Sequence, residues 1–200
     1  MAGDSRVAAF PVAPLFLQRW SPRAFSGEAI EAPALYSLFE AARWAPSAQN
    51  AQPWRFIYAL RETPAWGTFH GLLNEGNQRW AAHAAALVLL VSKTTQRRRD
   101  APEPVPSRSH SLDAGAAWAS LAFQAEHDGW RTHAIGGFDR ARARQALNIP
   151  EVFHLEVMIA IGRQANAHSL PDDLRQREQP TQRRPLADTV AQGSFAFTEA

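Results

Sequence analysis

The chain has 200 residues, 46% of them hydrophobic and 20% charged, which is ordinary for one soluble domain able to bury a sizeable core without covalent staples. It has no cysteine, which excludes disulfides, thiolate metal sites, iron–sulfur ligation and cysteine nucleophiles together. The net charge of +2, with a pI near 9.6 and Lys93 as the only lysine, puts nearly all positive charge on arginine; this is a weak argument for nucleic acid, and its reading stays open between compositional bias and anion binding.

Residues 13–18 predict a short first helix. Pro33 then opens a clear helix with Leu35, Leu38, Phe39 and Ala42 on one stripe, bounded by Pro46. Trp54–Leu60 reads as a strand. Residues 64–84 read as helix in pieces, with breaks expected near Gly67 and Gly76, and the aliphatic run Leu87–Ser92 as a buried strand. Gln96–His110, with three consecutive arginines, is expected to be a mobile loop. Ser111–Asp128 has the spacing of a long helix ended by Gly129. Strands follow at Arg131–Ile135 and Leu155–Ile161 around a short helix at Asp139–Leu147. Residues 163–200 read as mostly irregular, and a tail of that kind stays ordered when it docks on something. The order predicts a helix-flanked central sheet in one domain, 1–200, and leaves its topology open.

The longest apolar run, Ala84–Val91, is far below the roughly 20 residues that span a bilayer. The N-terminus lacks a long apolar core of a signal peptide, so the expected location is cytoplasmic. The histidines lack ligand spacing, as with His127 and His133 on either side of a glycine, and no metal is expected. No dinucleotide fingerprint, phosphate loop or nucleophile elbow occurs.

Five segments carry chemistry. Arg19-Trp20-Ser21-Pro22-Arg23 sets two guanidinium forks around a hydroxyl, an anion cradle if the three converge and exposed arginines if they do not. Pro46-Ser47-Ala48-Gln49-Asn50-Ala51-Gln52-Pro53-Trp54 is a polar passage from helix to strand, either a turn or a ligand-facing loop. Gly76-Asn77-Gln78-Arg79-Trp80, Ala134-Ile135-Gly136-Gly137-Phe138-Asp139 and Arg183-Arg184-Pro185-Leu186 complete the set.

In this order and spacing the five segments resemble the flavin-dependent nitroreductase family. The resemblance implies an α+β nitroreductase-like fold: a central, mainly antiparallel sheet flanked by helices, and a C-terminal arm over residues 163–200 wrapping a dimer partner. It implies FMN, with NADH or NADPH as electron donor, and hydride transfer by a ping-pong mechanism to a nitroaromatic, quinone or similar electrophile. On that resemblance Arg19 and Ser21 hold the FMN phosphate and ribityl chain, and Trp20 belongs to the same cofactor-binding motif. Arg23 lies near flavin N1 and the C2 carbonyl, and Asn77 bonds the pyrimidine edge. The Gly136 N–H points toward N5, Gly137 lets the backbone approach closely, and Arg183 closes on the phosphate. Pro46, Ser47 and Asn50 reach the FMN of the other subunit. No side chain is expected to act as a nucleophile. Same-fold alternatives are flavin fragmentation and reductive dehalogenation; a flavin-binding protein without turnover is a third reading.

The chain departs from the family pattern at three places. Thr181 stands where many relatives carry a basic residue. Trp20 stands where a polar residue is common, and the stretch between Ser92 and Ser111 is short. Arg97–Arg99 reads as a solvated loop or as an attractor for NAD(P)H phosphates.

Overall fold

Residues 6–98 and 100–197 are described by a computed structural model. In chain order the elements are α1 (Pro14–Gln18), α2 (Ala32–Arg43), β1 (Trp54–Leu60), α3 (Trp66–Leu72), α4 (Glu75–Ala81), β2 (Ala86–Lys93), β3 (Thr95–Gln96), β4 (Val105–Pro106), α5 (His110–His127), β5 (Arg131–Ile135), α6 (Arg140–Ala146), β6 (Phe153–Gly162) and α7 (Asp172–Arg175). The main sheet runs β1-β2-β6-β5 with every neighbouring pair antiparallel.

β2 organises the core. Its residues alternate between two covered faces, which is why it reads as a continuous aliphatic run. Ala86, Val88 and Leu90 join Ile159 and Ile161 of β6 against Leu35 and Leu38 of α2 and Ala117 and Leu121 of α5. Leu87, Leu89 and Val91 join Leu155, Met158 and Ala160 against Phe69, Leu72, Trp80 and Ala143 on α3, α4 and α6. The molecule is therefore a helix–sheet–helix sandwich. Between β2 and β6 the register passes from Leu90↔Val157 to Val91↔Leu155, so Glu156 is an extra, bulged residue. Its carboxylate accepts from Ser92 Oγ, and from Ser111 Oγ at 2.8 Å.

Helix ends follow local chemistry. Gly129, at φ +77°, closes α5 in a Schellman arrangement: Trp130 N donates to Ala125 O at 2.7 Å and Gly129 N to Glu126 O at 3.1 Å. The Asp139 side chain caps α6 by accepting from Arg142 N at 2.9 Å.

Two expectations fail. Gly67 and Gly76 lie inside α3 and α4; the break falls at Leu73 and Asn74, where Leu73 bridges Phe138 and Asn74 takes an extended conformation before α4. Residues 96–110 are not simply a loop, because β3 and β4 pair Thr95↔Pro106 and Gln96↔Val105; Arg99 lies outside the described residues. The tail carries only short helical turns, and residues 181–196 are exposed throughout.

Candidate functional site

Past α1 the chain leaves the helix at Arg19, which is extended, and runs without regular structure through residue 23, and the tail passes over it. Between them lies a cavity of about 500 Å³ lined by Arg19, Trp20, Ser21, Arg23 and Arg183. Two of the five sequence segments, some 160 residues apart, therefore meet. Arg6, His133, Arg177 and Thr181 also line the cavity.

The contacts fix these groups individually. Arg19 Nη1 donates to Ser21 Oγ at 3.3 Å, and Arg6 Nη1 to the Arg19 carbonyl at 2.9 Å. Glu178, from the tail, is buried; its Oε1 accepts from the backbone N–H of Arg23 at 2.7 Å and of Ala24 at 2.8 Å, and its Oε2 lies 3.8 Å from Arg23 Nη1. The tail thus anchors Arg23. Thr181, the departure from the family pattern, accepts from Arg183 Nη1 through its Oγ1 at 3.3 Å and so steadies that arginine.

Cations outnumber anions here. Burial pushes the Arg19 pKa below its ordinary value, Arg6 and Arg183 push the same way, and Glu126 alone among these neighbours opposes them. His133 is neutral: burial holds it down to about 4, the Pro22 carbonyl partly offsets this, and Arg23 and Arg19 lower it further. His133 Nδ1 lies 2.9 Å from Pro22 O, a carbonyl that only accepts, so Nδ1 carries the proton and Nε2 is an acceptor.

A contact chain leads from His133 to the fourth segment. Its ring packs on Trp80 with centroids 4.6 Å apart. Trp80 Nε1 donates to Asn77 Oδ1 at 3.3 Å, and Asn77 Nδ2 donates to Gly137 O at 3.0 Å. A Cβ at Gly137 would sit 2.8 Å from Asn77 Nδ2 and 3.1 Å from Asn74 Nδ2, so the close approach at Gly137 is to these two amides. At Gly136, by contrast, a Cβ would meet nothing within 4 Å.

Pro46, Ser47 and Asn50 do not join this cavity within one protomer. Ser47 Oγ accepts from Gln52 N at 3.1 Å, and Ala48 N donates to the buried Asp113 at 3.2 Å. Asn50 lines a second cavity with Arg55 and Lys93.

Arg6, Arg177 and Glu178 were invisible to sequence reasoning because no motif surrounds them. His133 was missed as well, although strand alternation, which puts it on the face of Ile135 toward Trp80, is a signal that could have found it. Among the described residues no group of three or more His, Cys, Asp or Glu is placed to hold a metal, and no helix is long and apolar enough to cross a membrane.

Comparison with known proteins gives a consistent result. A solved oxidoreductase containing FMN is 44% identical, with 99% of this chain and 100% of that chain covered at a TM-score of 0.94. A nitroreductase family protein from Clostridium difficile 630 is 18% identical, with 93% of this chain and 100% of that one covered at a TM-score of 0.70. One from Streptococcus pneumoniae TIGR4 is 20% identical, with 90% and 98% covered and a TM-score of 0.70. The family model described as Nitroreductase family matches residues 16–63 and 59–163. The chain belongs to the nitroreductase family.

Proposed function

We propose that this protein is an FMN-dependent oxidoreductase, acting as a homodimer. In this reading it takes hydride from NADH or NADPH and delivers it to a nitroaromatic, quinone or similar conjugated electrophile by a ping-pong mechanism. The observation that carries the reading is the convergence of Arg19, Arg183 and Arg6 on one cavity, with Arg19 destabilised as a cation by burial and by the other two. A phosphate dianion relieves that repulsion, so the donor set fits the phosphate end of FMN. The 44% identity to an oxidoreductase containing FMN supports the same cofactor.

Bound FMN supplies two-electron hydride chemistry at N5. The chain supplies position and charge. Arg19, Ser21 and Arg183 bind the phosphate, with Trp20 packing beside them. Arg23, held by Glu178, would bring positive charge to N1 and the C2 carbonyl, where it would favour the anionic reduced flavin. Asn77 addresses the pyrimidine edge with the hydrogen-bonding capacity that Gly137 and Trp80 leave free. The Gly136 N–H would be the group offered to N5, with open space where a side chain would stand. Pro46, Ser47 and Asn50 complete the site of the partner subunit.

The purified protein is expected to give a bound-flavin spectrum that bleaches under anaerobic NADH or NADPH and recovers on adding a quinone or nitroaromatic. Flavin that binds but ignores both nucleotides would reject the donor. Arg19→Ala is expected to weaken FMN binding by about 1.5–3 kcal/mol, the range for a hydrogen bond to a charged group. An unchanged FMN dissociation constant would remove Arg19 from the site.

A further inference from the structure

The second cavity is basic without relief. It encloses about 320 Å³ between residues 49–53 and the β3–β4 pair, and none of its lining residues belongs to the Arg19 cavity. That volume is at the small end of ligand sites. Arg55 of β1, Lys93 at the end of β2, and Arg97 line it, and no carboxylate does. Among the described residues none of the three forms an ion pair.

The walls are fixed. Arg55 Nη1 donates to the carbonyls of Gln52 at 3.0 Å and Trp54 at 2.6 Å, which holds the guanidinium while Nε and Nη2 make no further bond among the described residues. The Lys93 backbone N–H donates to Pro53 O at 2.9 Å and ties the strand end to the loop. Gln49, Asn50 and Gln52 take left-handed backbone at φ +53°, +55° and +46°. Side-chain residues rarely adopt this region, and its cost is tolerated where a loop's shape is used. The amides of these three residues and the hydroxyls of Thr95 and Ser107 supply neutral donors around the cations.

We propose that this cavity is a second anion site, which binds the phosphate group of a small molecule through Arg55, Lys93 and Arg97. Guanidinium forks and a lysine point charge are the groups that recognise phosphate. The cavity shares Asn50 with the FMN reading of a partner subunit, but Arg55, Lys93 and Arg97, which carry the proposal, have no part in that reading.

The test is calorimetry on the full chain, with one equivalent of FMN, titrated in turn with adenosine 2′,5′-bisphosphate, adenosine 5′-monophosphate and inorganic phosphate. Saturable binding is expected, weakened at least tenfold by Lys93→Gln and by Arg55→Gln, unaffected by Arg19→Ala, and reduced by added salt. Preference for the 2′,5′-bisphosphate supports the site as a reader of a 2′-phosphate. Equal binding of both nucleotides supports any phosphate monoester, and equal binding of inorganic phosphate supports the free ion. No saturable heat with any of the three overturns the proposal. So does binding that survives both Lys93→Gln and Arg55→Gln, and loss in Arg19→Ala alone transfers the anion to the first cavity. Thermal melting checks that each variant folds, and flavin absorbance reads FMN affinity separately, so failure of the FMN reading and failure of this site give different patterns.

Discussion

His133 is a neutral imidazole in cationic surroundings, and that has a consequence for stability. Its pKa is about 4 in the folded chain, lowered first by burial and then by Arg23 and Arg19, against about 6.5 unfolded. A depressed histidine favours the folded state fully above the unfolded value, and the advantage is lost as pH falls from about 6.5 toward 4. Between pH 7.5 and 5 the flavin-free protein is expected to lose about 2 kcal/mol through this residue. Urea unfolding at the two pH values should show that loss in the wild type and not in His133→Gln. Equal pH dependence in both proteins would mean that His133 titrates normally. Other single residues were legible to different degrees. Arg19, Ser21, Arg23 and Arg183 were read as site residues on resemblance, and their convergence on one cavity is a finding of the fold. Glu178 was not read, because an acid in an irregular tail looks like any solvated charge until the chain path brings it to Arg23.

At the scale of elements, Gly129 is where local chemistry most directly sets structure. Alanine there would have to hold φ +77°, at a cost of about 1–2 kcal/mol. Its Cβ would also lie 2.6 Å from Arg163 Nη1, which donates to Asp128 O at 2.9 Å and whose guanidinium lies 4.1 Å from the Trp130 ring centroid. Gly129→Ala is expected to lower the melting temperature by about 2–8 °C. Gly67→Ala, with nothing within 4 Å of its Cβ in α3, should leave it unchanged or raise it. The reverse order would show that the Schellman turn does not limit α5. The same contrast explains which elements the sequence announced. β2 declares itself through its continuous aliphatic run, α2 and α5 through periodicity, and the end of α5 through Gly129. The α3–α4 break did not, because it is set by the Leu73–Phe138 bridge and not by either glycine. The β3–β4 pair is two residues long on each side, too short for a period to register.

Over the whole molecule, the sandwich buries its sheet on both faces but leaves apolar side chains uncovered elsewhere. Trp44 is 74% exposed, Leu112 78% and Phe195 82%, and Leu186 and Val190 of the tail are exposed as well. Apolar groups spread along an extended arm are the pattern expected where another surface covers them. The proposed site points the same way: on the family resemblance Pro46, Ser47 and Asn50 reach the FMN of another subunit, and they do not line the Arg19 cavity of their own protomer. Periodicity and capping say nothing about a partner chain, and only the family resemblance pointed to one. Sedimentation is therefore expected to give twice the chain mass of 22.1 kDa. Removing residues 186–200 should raise the dimer dissociation constant at least tenfold, or about 1.4 kcal/mol. That truncation keeps Glu178 with its contacts to Arg23, and keeps the Thr181–Arg183 pair, so their loss does not explain the effect. A wild type that sediments at the mass of one chain at every concentration would sink the dimer. A truncated protein that dimerises as tightly as the full chain would leave the dimer standing and move its contacts from the arm to the exposed surface at Trp44, just past α2, and Leu112 of α5.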